Sequence, residues 1–522
     1  MKKRTFWLCL PLAIGQASYS FAQDATDALR YSQLQFGGPA RTMGIGGANV
    51  ALGGDYGTVS TNPAGLGLYQ KSEIQISPGV GIGQGEGQLL NGTSAAGPLS
   101  QVANSFHLSG SAVFSSRRSN LRTDSNWKGG AFAVGFTRMA DFNTGSDYLG
   151  TVNDQNSLFQ RLREPRTALT GSGSITDQYN NNDYYNLDGL AYGAILTDTI
   201  NTGPRGNQRA SLITRSRNGA ITQGENVRNS GSMSQLDFAY GGSYRDKLYV
   251  GLGLGVVLSN FQQRRAFTES EADPTTAFNN FTLNDNVSTS GTGLNLRLGL
   301  IYRVADAVRL GASVQTPTWM HLTDTYSSSI TSNFDARGQT GTPITQATAS
   351  TATQQYAYTI TTPFRANGGV AVTIGKYGFI TGDIEYLGYQ QARLDSNPNN
   401  TLGDNASFAT DNADIQRMYT NAINLRFGAE ARLDVFRVRL GYARYGSPYS
   451  AGYAAQSDAS NAQNYYTAGL GLRQGNFFID AAGVYTRFNT YYSPYLLNDY
   501  SEPVVKVNNS RFTTTVTAGF TF

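Results

Sequence analysis

The stretch "LYVGLGLGVVL", residues 248–258, sorts its side chains onto two faces. In an extended chain Leu248, Val250, Leu252, Leu254, Val256 and Leu258 point one way, and Tyr249, Gly251, Gly253 and Gly255 the other. Alternation with period two marks a strand with a single apolar face. That face suits a soluble core or a wall against lipid, so the neighbours must decide. Upstream, Leu236, Phe238, Tyr240 and Tyr244 alternate with Asp237, Ala239, Gly241 and Ser243, and a turn at Asp246 joins the two runs. Downstream come Leu294, Leu296, Leu298, Leu300 and Tyr302, a turn near Asp306, then Leu310, Ala312 and Val314.

Fourteen such segments are expected, at residues 72–83, 105–115, 127–139, 230–245, 247–262, 292–303, 307–316, 361–374, 378–392, 419–433, 435–446, 464–473, 476–488 and 510–522. The connections alternate in length. Asp246, residues 304–306 and 375–377, Asp434 and Gln474-Gly475 form brief turns, whereas 263–291, 317–360, 393–418, 447–463 and 489–509 are long and polar. The longest, about 140–229, holds a helical piece near residues 155–163. An even strand count with short turns at one end and long loops at the other is the pattern of an outer-membrane barrel. The fold class expected is all-β: a 14-stranded antiparallel transmembrane β-barrel over residues 72–522. Phe512, Thr514, Val516, Ala518, Phe520 and Phe522 alternate to a terminal phenylalanine, the kind of strand that barrel-assembly machinery reads. Tyr244, Tyr249, Tyr302, Trp319, Tyr377, Tyr386 and Tyr442 fall near strand ends, where aromatic girdles belong.

The first residues set the compartment. Lys2, Lys3 and Arg4 precede an apolar run at 6–14, and Ser20-Phe21-Ala22 offers a small-x-small cleavage site, so residues 1–22 read as a signal peptide. The run is too short to span a bilayer as a mature helix. Cys9, the only cysteine, leaves with it, so the exported chain uses no disulfide. The signal carries three of 40 basic residues and none of 36 acidic ones, leaving 37 against 36. That balance argues against nucleic acid as a partner. Two histidines are too few for a histidine metal site, and no metal or cofactor is expected. With 15% charged residues, 60 Gly and no spanning helix after the signal, membrane integration falls to strands that close on themselves.

Residues 23–71 have no place in such a wall. They contain "ARTMGIGGANVALGGD" at 40–55 and "STNPAGLGLY" at 60–69. Glycine permits positive φ and close backbone approach, and Asn62-Pro63 favours a turn, so this segment is expected to fold into the lumen as a plug. A dinucleotide fingerprint is rejected: after Gly44 and Gly46 the third glycine is replaced by Asn49, and no strand precedes the motif. These two stretches resemble the N-terminal plug of the FadL/TodX family of outer-membrane transporters for hydrophobic compounds. "RLGASVQTPTW" at 309–319, "TPFRANGGVAV" at 362–372, "GDIEYLGY" at 382–389, "INLRFGAEARLD" at 423–434 and "RVRLGYARYGSPY" at 437–449 extend the resemblance along the wall.

The resemblance implies a fourteen-stranded barrel closed by a hatch. It also implies capture of long-chain fatty acids or other lipophilic molecules at the external loops, a hatch that shifts, and sideways exit at a distortion in the third strand. Arg41, Gly44, Gly46, Gly47, Asn62, Pro63 and Ala64 are the gating candidates. For the lateral opening, Gly129-Gly130 in the third strand and Pro78 in the first are candidates, because each weakens a ladder. No segment for an energising partner follows the signal, so passive diffusion is expected. The partners expected are the lipophilic ligand, outer-membrane lipids and lipopolysaccharide around a monomeric barrel, and the assembly machinery at Phe522.

Alternation also places charges inside. Asp383 and Glu385 lie opposite outward Ile384 and Tyr386; Arg426, Glu430 and Arg432 share one face of the tenth strand, and Arg437 and Arg439 one face of the eleventh. They suit a latch for the hatch, an anchor for a ligand carboxylate, or a paired network filling a wet interior. Arg41 is expected to reach Asp383, Glu385 or Glu430. His107 shares its face with Ser105 and Ser109 but lacks an orienting acid, and His321 follows Trp319 at the outer rim, so no enzyme is expected. The alternatives are a porin for polar solutes, which residues 23–71 oppose, and an adhesive surface barrel acting through its polar loops.

Overall fold

Short turns with left-handed backbone join the strands in pairs at one end of the molecule. Arg245 and Asp246 have φ of 53° and 54°, Asp434 54°, and Gly375 and Gly475 50° and 62°, the twist-matched geometry that tight hairpins need. The computed structural model describes residues 25–90, 99–116, 125–202, 209–214, 220–271, 278–336, 342–396, 408–450 and 461–522. The signal peptide expected at 1–22 lies outside the described residues.

The wall strands are β1 Glu73–Leu89, β2 Leu99–Ser115, β3 Trp127–Asp141 continued by Thr144–Val152, β4 Ile221–Tyr244, β5 Leu248–Glu271, β6 Phe278–Arg303 and β7 Val308–Gln315 continued by Trp319–Phe334. They continue as β8 Gln354–Thr361 with Arg365–Ile374, β9 Gly378–Gly388 with Arg393–Ser396, β10 Asn421–Leu433, β11 Phe436–Tyr445, β12 Gln463–Gln474, β13 Phe477–Tyr492 and β14 Val505–Thr521. Each pairs antiparallel with its neighbours, and β14 returns to β1 from Glu73↔Thr521 to Leu89↔Val505. The wall is therefore a closed 14-stranded barrel. Closure removes the free edge strands of an open sheet, which is what a strand wall in hydrocarbon requires. Among the described residues no helix is long and apolar enough to cross a membrane.

The strands rise further from the short turns than alternation suggested. β4, β5 and β6 have 24, 24 and 26 residues, whereas a tilted membrane strand needs about 10. The outward face of their upper halves is polar, as in Thr282, Asn284 and Asn286 of β6, so the outer apolar row stops while the ladder continues and only inward residues such as Phe281 and Leu283 stay apolar. For the same reason the upper part of β7 lies within what read as a loop. Pro317 and Pro363 stand at the breaks in β7 and β8, where a missing N–H interrupts pairing. Leu252, Leu254, Leu258, Leu294, Leu296, Leu298 and Leu300 are exposed on the outer face near the short turns, with Tyr302, Trp319, Tyr377 and Tyr386 also exposed. Tyr249 is not part of that girdle. It points inward, is buried, and donates to the Asp246 carbonyl at 3.0 Å.

At the long-loop end, α3 Leu158–Arg163, α4 Ile175–Asn181 and α5 Leu187–Gly193 fold over the extended strands. Phe159 anchors this cap against Phe278 and Phe281 at ring separations of 5.4 and 5.6 Å. Residues 25–71 lie against the inner faces of the wall as α1 Ala25–Ser32, α2 Ala40–Gly44 and two 3-10 turns, Tyr56–Ser60 and Pro63–Leu68.

Candidate functional site

The small inward face of the wall is the seat of the inner segment. Asn62 caps the turn Pro63–Leu68 by accepting from Ala64 N at 3.1 Å, while its Nδ2 donates to the Val50 carbonyl at 2.7 Å and the Leu300 carbonyl of β6 at 3.1 Å. The turn comes this close because β5 and β6 present glycine. A Cβ on Gly299 would stand 1.9 Å from Asn62 Oδ1, and one on Gly251 2.3 Å from Ala64 N. Asn62, Pro63 and Ala64 thus form a docking element whose shape the wall glycines match. On the other side, Gly46 and Gly47 with φ of 65° and 73° turn the segment against β10 and β11. A Cβ on Gly441 would lie 2.4 Å from Gly46 N, and Gly44 O accepts from Thr467 Oγ1 at 3.0 Å.

Buried charges complete this seat. Arg41 Nη1 donates to Gly54 O at 3.0 Å, with Asp55 at 3.6 Å and Glu430 at 3.5 Å. Burial opposes the charge on Arg41, but Glu430 and Asp55 outweigh it and hold the guanidinium pKa above its ordinary value. Glu430 also accepts from Arg432 at 2.9 Å and from Arg439 at 2.8 Å, and Arg439 continues to Asp480 at 2.6 Å. Higher in the lumen Glu385 pairs with Arg426 and, at 3.2 Å, with Arg365, which donates in turn to the Ser32 carbonyl. Asp383 does not meet Arg41; it accepts the Val50 N–H at 2.9 Å. Arg437 stands apart from both clusters and donates to the carbonyls of Asp434 and Phe436 in its own turn. It shares the face of Arg439 but sits one step nearer the mouth, where the turn supplies acceptors.

Among the described residues the wall parts between β2 and β3. β2 pairs with β3 from Gly110↔Phe136 to Ser115↔Ala131 and again at Leu99↔Asp147, whereas its ladder to β1 runs unbroken from Leu99 to Val113. Among the described residues, 100–109 of β2 have no ladder partner on the β3 side. β3 keeps its pairing with β4, but the register shifts between Arg138 and Ala140 and leaves Met139 as an extra residue. Phe142 then turns inward, 6.1 Å from the Tyr31 ring and 5.6 Å from Phe261. Arg138 bridges the break to the Phe106 carbonyl at 3.3 Å, and Arg511 of β14 holds Asp141 at 3.3 Å and the Asn143 carbonyl.

The inner segment supports this bent strand directly. Gln35 N donates to Met139 O at 2.7 Å, and a Cβ on Gly37 would lie 2.1 Å from Arg138 O. Beside the break is a cavity of about 10 Å³, lined by Tyr31, Leu34, Met139, Met233, Val257 and Met320 with Gln235, Asn295, Thr318, Thr362 and Arg365. It holds about one water's volume, so a larger molecule enters only if the lining moves. Three of the chain's six methionines line it, and thioether side chains adapt readily to new shapes.

The break is not at the positions that sequence pointed to. Gly129 has φ of 94° and sits in a bulge opposite β4, yet Ser116 N donates to Gly130 O at 2.9 Å and Ser115 pairs with Ala131, so the wall is shut there. Pro78 interrupts the β1–β14 ladder only between Ile76↔Ala518 and Gly79↔Thr515. His107 faces inward, but its Nε2 meets Thr515 Oγ1 at 3.1 Å rather than a serine. Sequence reasoning missed Arg297, which donates to Val59 O at 2.6 Å and pairs with Asp237. The signal was present: Arg297 lies between outward Leu296 and Leu298, and Asp237 between outward Leu236 and Phe238.

No protein-family model matches the chain, and no curated protein matches it. Solved structures do. A FadL homologue from Pseudomonas aeruginosa aligns over 93% of this chain and 98% of its own at 11% identity, with a TM-score of 0.53. The Pseudomonas putida toluene transporter TodX covers 93% and 99% at 13% identity with a TM-score of 0.48, and the Ralstonia pickettii toluene transporter TbuX covers 93% and 98% at 15% with 0.45. At these identities the likeness is one of fold, and it rests on the first of the three.

Proposed function

We propose that this chain, which shares the fold of the FadL homologue, is an outer-membrane channel of a Gram-negative bacterium for hydrophobic small molecules such as long-chain fatty acids. Residues 25–71 act as its hatch, and cargo leaves sideways through the wall between β2 and β3. The observation that carries this reading is the juxtaposition of an unpaired stretch of wall with a methionine-lined cavity of mixed polarity, to which the inner segment contributes Tyr31 and Leu34. A greasy molecule gains nothing by entering water below the barrel, and lipid beside the wall is its preferred solvent. Each buried CH₂ favours that route by about 0.8 kcal/mol, so no energy source beyond partition is required. Entry requires residues 33–38 to shift, since they contact both cavity and bent strand.

The test is reconstitution of the full chain in liposomes. Transfer of dodecanoate into the bilayer is expected to accelerate while arabinose causes no swelling. Rapid arabinose swelling without faster dodecanoate transfer overturns the reading and favours a porin.

A further inference from the structure

The inner segment reaches the short-turn rim at Lys71, which donates to Asn476 at 3.1 Å, but leaves a hollow beside Leu68 and Gln70. Below residues 52–54 a cavity of about 500 Å³ opens among the ends of β5 to β10, and Arg41, Arg303, Arg309, Arg432 and Asp246 supply its charged lining. Four guanidinium groups thus face one carboxylate. Arg303 and Arg309 occupy inward positions beside outward Tyr302 and Leu310, and Arg432 an inward position beside outward Leu433, so the strands aim all three at the same space.

Their partners do not neutralise them equally. Arg41 lies between Asp55 and Glu430, Arg432 shares Glu430, and Arg303 reaches Asp306 at 3.1 Å, whose side chain is 99% exposed and screened by water. Arg309 has no carboxylate within ion-pair distance among the described residues. Its Nη1 donates to Leu52 O at 2.8 Å, and its Nε is buried without a hydrogen-bond partner. Like charges gathered in a partly desolvated bowl repel one another, and an anion between them removes that repulsion while supplying the missing acceptors. Planar guanidinium forks match carboxylate and phosphate oxygens in pairs. The volume lies within the range of small-molecule sites.

We infer that this arginine bowl is an anion site, entered from the short-turn side and taking a carboxylate or phosphate group. The site goes beyond the transport reading and stands without it. Two sources share this chemistry: a free anion from the surrounding water, or the head group of an acidic amphiphile.

Calorimetry on the full chain in neutral detergent, with inorganic phosphate, octanoate and octanol as probes, separates them. Saturable phosphate binding that weakens roughly tenfold in Arg309→Gln and in Arg303→Gln supports the site with a free anion. Arg309-dependent binding of octanoate alone, with octanol inert, supports it with a head group. A measurement on the unsubstituted protein covers variants that fail to fold. The bound anion should slow phenylglyoxal modification of Arg309 several-fold and leave Arg437, at the turn, unprotected. Binding unchanged in folded variants, or no protection at Arg309 by phosphate or octanoate, overturns the inference.

Discussion

Where the inner segment meets β10, β11 and β12, it touches strands that are paired with neighbours on both sides. Where it meets β3, it touches a strand that has parted from β2. At the first contact Gly44 and Gly46 lie backbone to backbone on Gly441 and Gly469, and Arg41 and Arg439 converge on Glu430. At the second, one N–H from Gln35 and a glycine under Arg138 O support the strand that lacks its neighbour. The first is an anchor of many contacts and the second a support of few. Sites that move are drawn from the less cross-linked parts of a fold, and here one short segment contains both kinds.

The anchor is broken most severely at Arg439. Arg439→Ala leaves Glu430 and Asp480 with one cation fewer in a buried setting, which destabilises by about 3–5 kcal/mol; the unfolding temperature of the purified barrel, followed by its heat-dependent migration in gels, should fall clearly. Filling the glycine seat acts next. Gly299→Leu pushes a side chain into Asn62, an overpacking effect of about 1–3 kcal/mol, and planar-bilayer recordings should show current through a barrel whose segment no longer seats. An unchanged, silent channel would mean that the close approach at Gly299 does not hold the segment. At the support, Gly37→Val drives the segment away from Arg138 O and should alter dodecanoate transfer while leaving the unfolding temperature near that of the parent. Arg437→Ala should do least, within about 0.5 kcal/mol of the parent, because among the described residues Arg437 bonds only its own turn; a large drop in unfolding temperature would place it in the anchor after all.

The same contrast explains what the sequence made legible. The lower barrel was readable because lipid outside and glycine seat inside impose alternation, and Gly251 stands out among Val250 and Leu252 for that reason. Asp383, Glu385, Arg426, Glu430, Arg432 and Arg439 were readable because an outward apolar neighbour fixes which way each points. Upper strand ends were not, since polar residues such as Asn284 and Asn286 replace the outward apolar row and leave inward Phe281 and Leu283 without the alternation that marks a wall strand. The break was hidden for another reason. It arises from one extra residue, Met139, and from Phe142 turning inward to Tyr31 and Phe261, and a bulge has no compositional mark. Gly129 drew attention by being glycine, yet its φ of 94° means that a bulky substitution there strains the backbone whatever the wall does.

The central claim is that cargo passes between β2 and β3, and a reversible clasp across that break tests it directly. Continuing the register beyond Gly110↔Phe136 puts Leu108 opposite Arg138, and Cys9 is the only native cysteine, so a Leu108→Cys, Arg138→Cys pair has little background. With the disulfide formed, dodecanoate transfer into liposomes should lose most of its rate and recover on reduction. Full-rate transfer through completely cross-linked protein would contradict lateral passage at this site.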